Sequence, residues 1–172
     1  MFSATLSRTI SLLALTGFLA TRAVYSSPLE ARDTPTCSSA GVTQPAAGTS
    51  IHGGDTIPFG FDSSGFGGKC HPGYTPISVW LLSSQPTSGS LNADHEFSDF
   101  LYHFGDYLID NFAPTLPPMG TPPPSTLNVP DLGAAHEDQD VYIAVVQTEG
   151  SCAPDGHFEY CFSSAELHYI SG

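Results

Sequence analysis

The sequence predicts an all-β protein, an antiparallel sandwich of about seven to nine strands. Three observations point there. Short apolar runs rich in β-branched and aromatic residues recur between Pro- and Gly-rich turns. No stretch sustains an unambiguous helical stripe. The four cysteines, Cys37, Cys70, Cys152 and Cys161, are an even set that implies two disulfides in an oxidising compartment.

Residues 1–23 read as a secretory signal. Arg8 supplies the positive end, and Ile10–Ala20 is an apolar run of eleven residues. That run is too short to cross a bilayer core of ~30 Å. Cleavage is expected after Ala23 or Ser26. Residues 24–32 then form either a pro-segment ending at Arg32 or a polar mature tail. The remaining residues, 33–172, form a single sandwich domain. All four cysteines fall in that part, so extracellular localisation is expected.

Processing sharpens the charge. The whole chain carries a formal charge of -13, and loss of residues 1–32 takes away three arginines and one glutamate, leaving -15. Lys69 is then the sole Lys or Arg. Such a surface repels phosphate backbones and anionic lipid, so nucleic acid is not an expected partner. No lipid-anchor tail is read at the C-terminus, and no membrane anchor is expected.

Taken in order, residues 33–40 read as a polar arm. Two short β segments follow, broken by Pro45 and by Gly53-Gly54. Ile57, Phe59 and Phe61 alternate with Pro58, Gly60 and Asp62, the period of a half-buried strand. Ser63–Lys69 is a glycine loop without the spacing of a phosphate-binding loop. Tyr74–Ser83 contains the single tryptophan, Trp80, in a dense apolar run, and Trp80 is expected to fill the sandwich core. His95–Asn111 fits either a helical stripe or a strand, and Gly105 with the many aromatics favours the strand. Ala113–Pro124 lacks the donors of an interior strand and reads as an extended crossover. Ser125–Val129 is a short strand, Val141–Thr148 a buried one, and Tyr160–Ile170 closes the sheet with a bend at Ser163-Ser164.

Asp138, Asp140 and Tyr142 resemble the tyrosine-corner pattern of immunoglobulin-like sandwiches. There a Tyr opens the penultimate strand and its hydroxyl bonds back to the preceding corner. Ala144 stands where that pattern has a cysteine. Two disulfides therefore have to be placed elsewhere, and Cys70–Cys152 with Cys37–Cys161 is the expected pairing of three possible ones.

Five patterns span most of the mature chain: G-T-x-I-x-x-G-x-x-I-P-F at Gly48–Phe59, C-x-P-G-Y-x-P-I-x-V-W-L-L at Cys70–Leu82, F-G-D-Y-L-I at Phe104–Ile109, P-P-P-S-T-L-x-x-P at Pro122–Pro130 and V-Y-x-A-V-V-Q-T at Val141–Thr148. In their order the chain resembles a family of small secreted fungal (mushroom-type) proteins with an immunoglobulin-like β-sandwich. The resemblance implies secretion, that fold and a fungal source. It transfers no catalytic residue.

Histidine is where metal chemistry could reside. His95, Asp99 and His103 recur at a spacing of four and share one face of a helix or of a strand. They are the candidate ligands for Zn or Cu. Their span is ~12 Å on a helix and over ~25 Å on a strand, so one ion reaches all three only across a bend. No expected mature N-terminus is a histidine, which argues strongly against a histidine-brace copper site. Tyr102 and Tyr107, next to Asp106 and the Pro-rich crossover, are the candidate ligand-binding aromatics. No nucleophile elbow occurs, and no carboxylate pair is singled out by spacing.

The sequence reading is thus a non-catalytic extracellular module that binds cell-wall polysaccharide or another extracellular surface, with no cofactor. Its alternatives are a metal-binding protein or metal-dependent enzyme using His95, Asp99 and His103, and a secreted effector that binds a host protein.

Overall fold

The computed structural model describes residues 41–62, 74–110, 120–150 and 158–170. They form nine strands and one 3-10 turn at Ala134–His136, so the chain is all-β as its alternation predicts. The strands are β1 (Gly41–Gln44), β2 (Thr49–His52), β3 (Thr56–Pro58), β4 (Gly60–Asp62), β5 (Tyr74–Leu82), β6 (Tyr102–Asp110), β7 (Thr126–Asn128), β8 (Gln139–Gly150) and β9 (Phe158–Ile170).

A five-stranded sheet in the order β2-β9-β8-β5-β6 dominates, with two-stranded pairs β1-β4 and β3-β7 beside it. The expectation of a wholly antiparallel arrangement is corrected at one edge, where β2 runs parallel to β9. A parallel neighbour needs a long connection, and nearly the whole domain lies between these two strands. β8 and β9 pair without a break from Gln139↔Tyr169 to Gly150↔Phe158, so the bend expected at Ser163-Ser164 does not interrupt the ladder.

Both faces of the large sheet are covered. On one, Ile77, Val79 and Leu81 join Val141, Ile143 and Val145 and also Ala165, Leu167 and Tyr169. Ile51, Ile57, Phe59, Leu127 and Val129 close over them. The alternate residues Trp80, Leu82, Ala144, Val146 and Phe162 build a second cluster around Phe97. Four consecutive buried residues at the end of β5, Val79–Leu82, follow from this double cover, because successive side chains point to opposite faces.

Trp80 is buried at 4% exposure, as expected. Its place differs from the expectation, because it lies on the face opposite the main core, beneath the segment between β5 and β6. Its indole meets Phe97 and Phe100 edge-on. Ring edges carry positive and faces negative charge, which favours such crossings. Nε1 donates to Ser78 Oγ at 2.9 Å, so the one polar atom of the ring is satisfied.

The ambiguous segment His95–Asn111 divides. Residues 95–101 are bends and turns, and the strand starts at Tyr102. Pairing with β5 steps from Val79↔Gly105 to Trp80↔His103, leaving Phe104 as the extra residue of a β-bulge. The bulge turns His103 toward Trp80 while Phe104 and Tyr107 pack on the first cluster. Gly105 has φ of 137°, a conformation closed to ordinary side chains.

Cys161 is buried in β9 and disulfide-bonded. Cys37, Cys70 and Cys152 lie outside the described residues, and so do the expected pairings, the arm at 33–40 and the glycine loop at 63–69.

Candidate functional site

A cleft of about 210 Å³ opens on the Trp80 face of the large sheet. Alternation on β5 and β8 supplies its floor, with Ser78 and Trp80 from one strand and Val146 and Thr148 from the other. Tyr160 of β9 and Asp106 of β6 stand at its sides. Asp94, His95 and Glu96 form the remaining wall.

That wall is shaped by one asparagine. Asn92 Oδ1 accepts the backbone N–H of Asp94 at 2.9 Å and of Glu96 at 3.0 Å. Asn92 N–H donates to the Glu96 carbonyl, and His95 N–H to the Asn92 carbonyl. This closed loop forces His95 into the left-handed region at φ 62°, where Asn, Asp and His occur more often than other side chains. Phe97, 2% exposed, anchors the loop in the second cluster.

In that conformation the His95 ring lies flat on Tyr160, with centroids 3.5 Å apart and planes inclined by 10°. The cleft therefore combines an aromatic wall, the hydroxyl side chains Ser78 and Thr148, and three carboxylates, Asp94, Glu96 and Asp106. The described residues include no Lys or Arg. Asp106 Oδ1 lies 3.4 Å from His103 Nε2, beyond good hydrogen-bond length. Among the described residues, Asp94 and Glu96 have no side-chain partner. An array of acceptors beside an apolar ring suits a ligand with hydroxyl or ammonium donors on a compact carbon frame.

The sequence-derived metal set is not gathered here. His95 stacks on Tyr160, His103 stacks on Trp80 at 3.9 Å, and Asp99 is exposed on the segment between. Among the described residues no three His, Cys, Asp or Glu side chains are close enough to share an ion. The physical reason is the turn at 92–97 and the bulge at Phe104, which send the two imidazoles to different aromatic partners.

The candidate aromatics fall away from the cleft. Tyr107 packs on the first cluster, on the opposite face, and its hydroxyl donates to the Phe104 carbonyl at 3.0 Å. Burial pushes that phenol above its ordinary value, with the Asp106 charge adding to it. Tyr102 is 43% exposed and meets Phe104 edge-on. It pairs with Leu81, a residue of the first cluster, and so belongs to the same face as Tyr107.

The tyrosine corner is also corrected. Tyr142 Oη donates across to Glu166 Oε2 on β9 at 3.0 Å, its direct register partner. That bond raises the phenol's pKa. Asp138 turns instead to His168, with Asp138 Oδ1 3.0 Å from Nε2. Asp140 Oδ1 lies 3.1 Å from Nδ1 of the same ring. Ala144 in place of a cysteine signalled only that the inter-sheet disulfide of that pattern is absent at this position, and not that Tyr142 bonds elsewhere.

The residues that sequence reasoning missed are Asp94, Glu96, Ser78 and Thr148. No spacing joins them along the chain. The parity of Pro76, Ser78 and Trp80 on β5 was the available signal for the floor, and nothing local marked the wall. No protein-family model, curated protein or solved structure matches this chain.

Proposed function

We propose that the chain is a secreted, non-catalytic binding module whose cleft holds one sugar-sized unit of an extracellular glycan. The cleft of about 210 Å³ with carboxylate, hydroxyl and aromatic walls is the observation that carries this reading. Its volume is below the ~300–1,000 Å³ usual for drug-sized ligands, which suits a single ring and not an extended organic cofactor. Carboxylates accept hydrogen bonds from ring hydroxyls, and Ser78 and Thr148 add donors. The three acids exclude uronates and phosphorylated sugars by like-charge repulsion, and favour neutral or amino sugars.

The supporting frame is that of the sequence reading. A signal-like N-terminus, four cysteines arranged as two disulfides and an immunoglobulin-like sandwich suit an extracellular module of fungal source. The high negative charge speaks against nucleic acid and anionic membranes as partners.

Retention on insoluble chitin, β-glucan and cellulose tests the reading. The native protein is expected to be retained on at least one matrix, and Asp106→Asn combined with Glu96→Gln to weaken that retention. No retention on any of the three, or retention untouched by the double substitution, rejects the cleft as a glycan site.

A further inference from the structure

We propose that His168, held between Asp138 and Asp140, is a pH-sensitive latch that keeps the connection before β8 closed on the sheet when protonated and releases it when neutral. The inference is independent of the glycan reading. The latch occupies the same sheet face as the cleft but sits eight residues further along β8, from Thr148 to Asp140, or ~26 Å away.

Both ring nitrogens of His168 face carboxylate oxygens, Nε2 to Asp138 at 3.0 Å and Nδ1 to Asp140 at 3.1 Å. A neutral imidazole has one N–H and one lone pair. Only the imidazolium donates to both acids. Loss of either proton breaks one bond and sets a nitrogen lone pair against a carboxylate.

The two acids are held unequally. Asp140 is the register partner of His168 within the β8–β9 ladder. Asp138 lies just outside β8, at φ 56°, a left-handed conformation uncommon for a residue with a side chain. Its side chain is 87% exposed. Asp138 is therefore the side that lets go, and relief of its backbone conformation favours the release.

Besides the latch, the connection is tied by Leu132, which packs on the first cluster, and by the local bonds of its 3-10 turn, His136 N–H to the Gly133 carbonyl and Glu137 N–H to the Ala134 carbonyl. Leu132 N–H donates to Tyr169 Oη at 3.0 Å at its start, Gly133 N–H to Asp131 Oδ1 within it, and Gln139 Nε2 to the Ala135 carbonyl at its end. When closed it lies over the turn after β2, where Gly53 leaves no room for a Cβ against Asp131 and Tyr169.

The groups around His168 are mostly acids, with two further histidines among them. β8 presents Asp140 and Tyr142, β9 presents Glu166, and the connection presents Asp131, His136, Glu137 and Asp138. β2 places Ser50 opposite His168 and His52 beyond, the latter paired with Asp55. Bonds to Asp140 and then Asp138 raise the His168 pKa above its ordinary 6.5, so the latch is closed below that ordinary value and opens as pH rises through the raised one.

Two measurements on the native protein test this. The His168 ring signals are followed by NMR across pH, and amide exchange of residues 132–138 is compared at about pH 5.5 and 8.5, corrected for intrinsic exchange. His168 is expected to titrate above ~6.5. Protection is expected to fall with rising pH by up to about tenfold for each unit of that elevation. Asp138→Asn is expected to lower the titration point and flatten the pH dependence. A titration point at or below the ordinary value overturns the latch. Equal protection at both pH values, or a substitution without effect on either readout, does the same.

Discussion

The imidazole of His103 lies flat against the indole of Trp80, with ring centroids 3.9 Å apart and planes inclined by 17°. A residue whose spacing suggested a metal ligand thus shields the tryptophan at the edge of the sheet. His103→Ala should cost ~0.5–1.5 kcal/mol in stacking beyond lost area, and His103→Phe should retain most of it. Denaturant midpoints give the cost. Trp80 is the sole tryptophan, so a red-shifted emission maximum in the Ala variant reports its exposure directly.

Phe97 joins the covering segment to the sheet, meeting Trp80 and Phe162 edge-on at 6.2 Å each. Phe97→Ala should destabilise by ~3–5 kcal/mol, the range for removing a buried aromatic. It should also loosen the wall bearing Asp94 and Glu96. Equilibrium unfolding together with glycan retention measures both effects. Unfolding at an unchanged midpoint would show that the segment does not close the second cluster.

Gly105 and Tyr107 form a pair within the bulge. A Cβ at Gly105 would lie 3.1 Å from Tyr107 Oη, and φ of 137° is adverse for any other residue. Gly105→Ala is expected to cost ~1–3 kcal/mol from the backbone alone. Tyr107→Phe should cost ~0.5–1.5 kcal/mol through loss of its bond to the Phe104 carbonyl. The double variant should fall short of the sum, because removing the hydroxyl makes room for the methyl. A double-mutant cycle in urea checks the sign of that coupling.

Asp55 closes the turn between β2 and β3. Its carboxylate accepts the His52 backbone N–H at 2.7 Å and lies 3.2 Å from His52 Nδ1. The backbone bond chiefly holds its pKa below 3.8, with burial opposing it and the His52 side chain adding to the depression. A depressed carboxylate stabilises the fold above its unfolded value, and that contribution fades as pH falls through the lower folded value. Asp55→Asn should therefore be less stable than the native chain near neutrality, with the gap closing below about pH 4. Urea midpoints at pH 3 and pH 6 measure it, and a gap of equal size at both would remove the carboxylate from the explanation.

Much of the strand pattern was legible from residues alone. Ile77, Val79 and Leu81 alternate against Ser78 and Trp80, and the same period runs through Val141–Thr148. These are short-range signals, because a strand sends neighbouring side chains to opposite faces whatever it pairs with. The absence of Lys and Arg from all described residues, and with it the reliance on histidine for positive charge, was equally readable.

Partnership between distant residues was not. His168 meets Asp140 and Asp138 across separations of 28 and 30 residues, and the pairing exists because β8 and β9 adopt one register. A shift of that register by one residue would send His168 to the other face. His103 reaches Trp80 through a bulge that no spacing announces, and Asp94 and Glu96 reach the cleft through a loop tied by Asn92. Composition and period therefore determined that this chain makes sheets and buries Trp80. Tertiary structure alone decided which face Trp80 occupies, which acids line its cleft and which histidine two acids hold, since each depends on long-range register and loop closure.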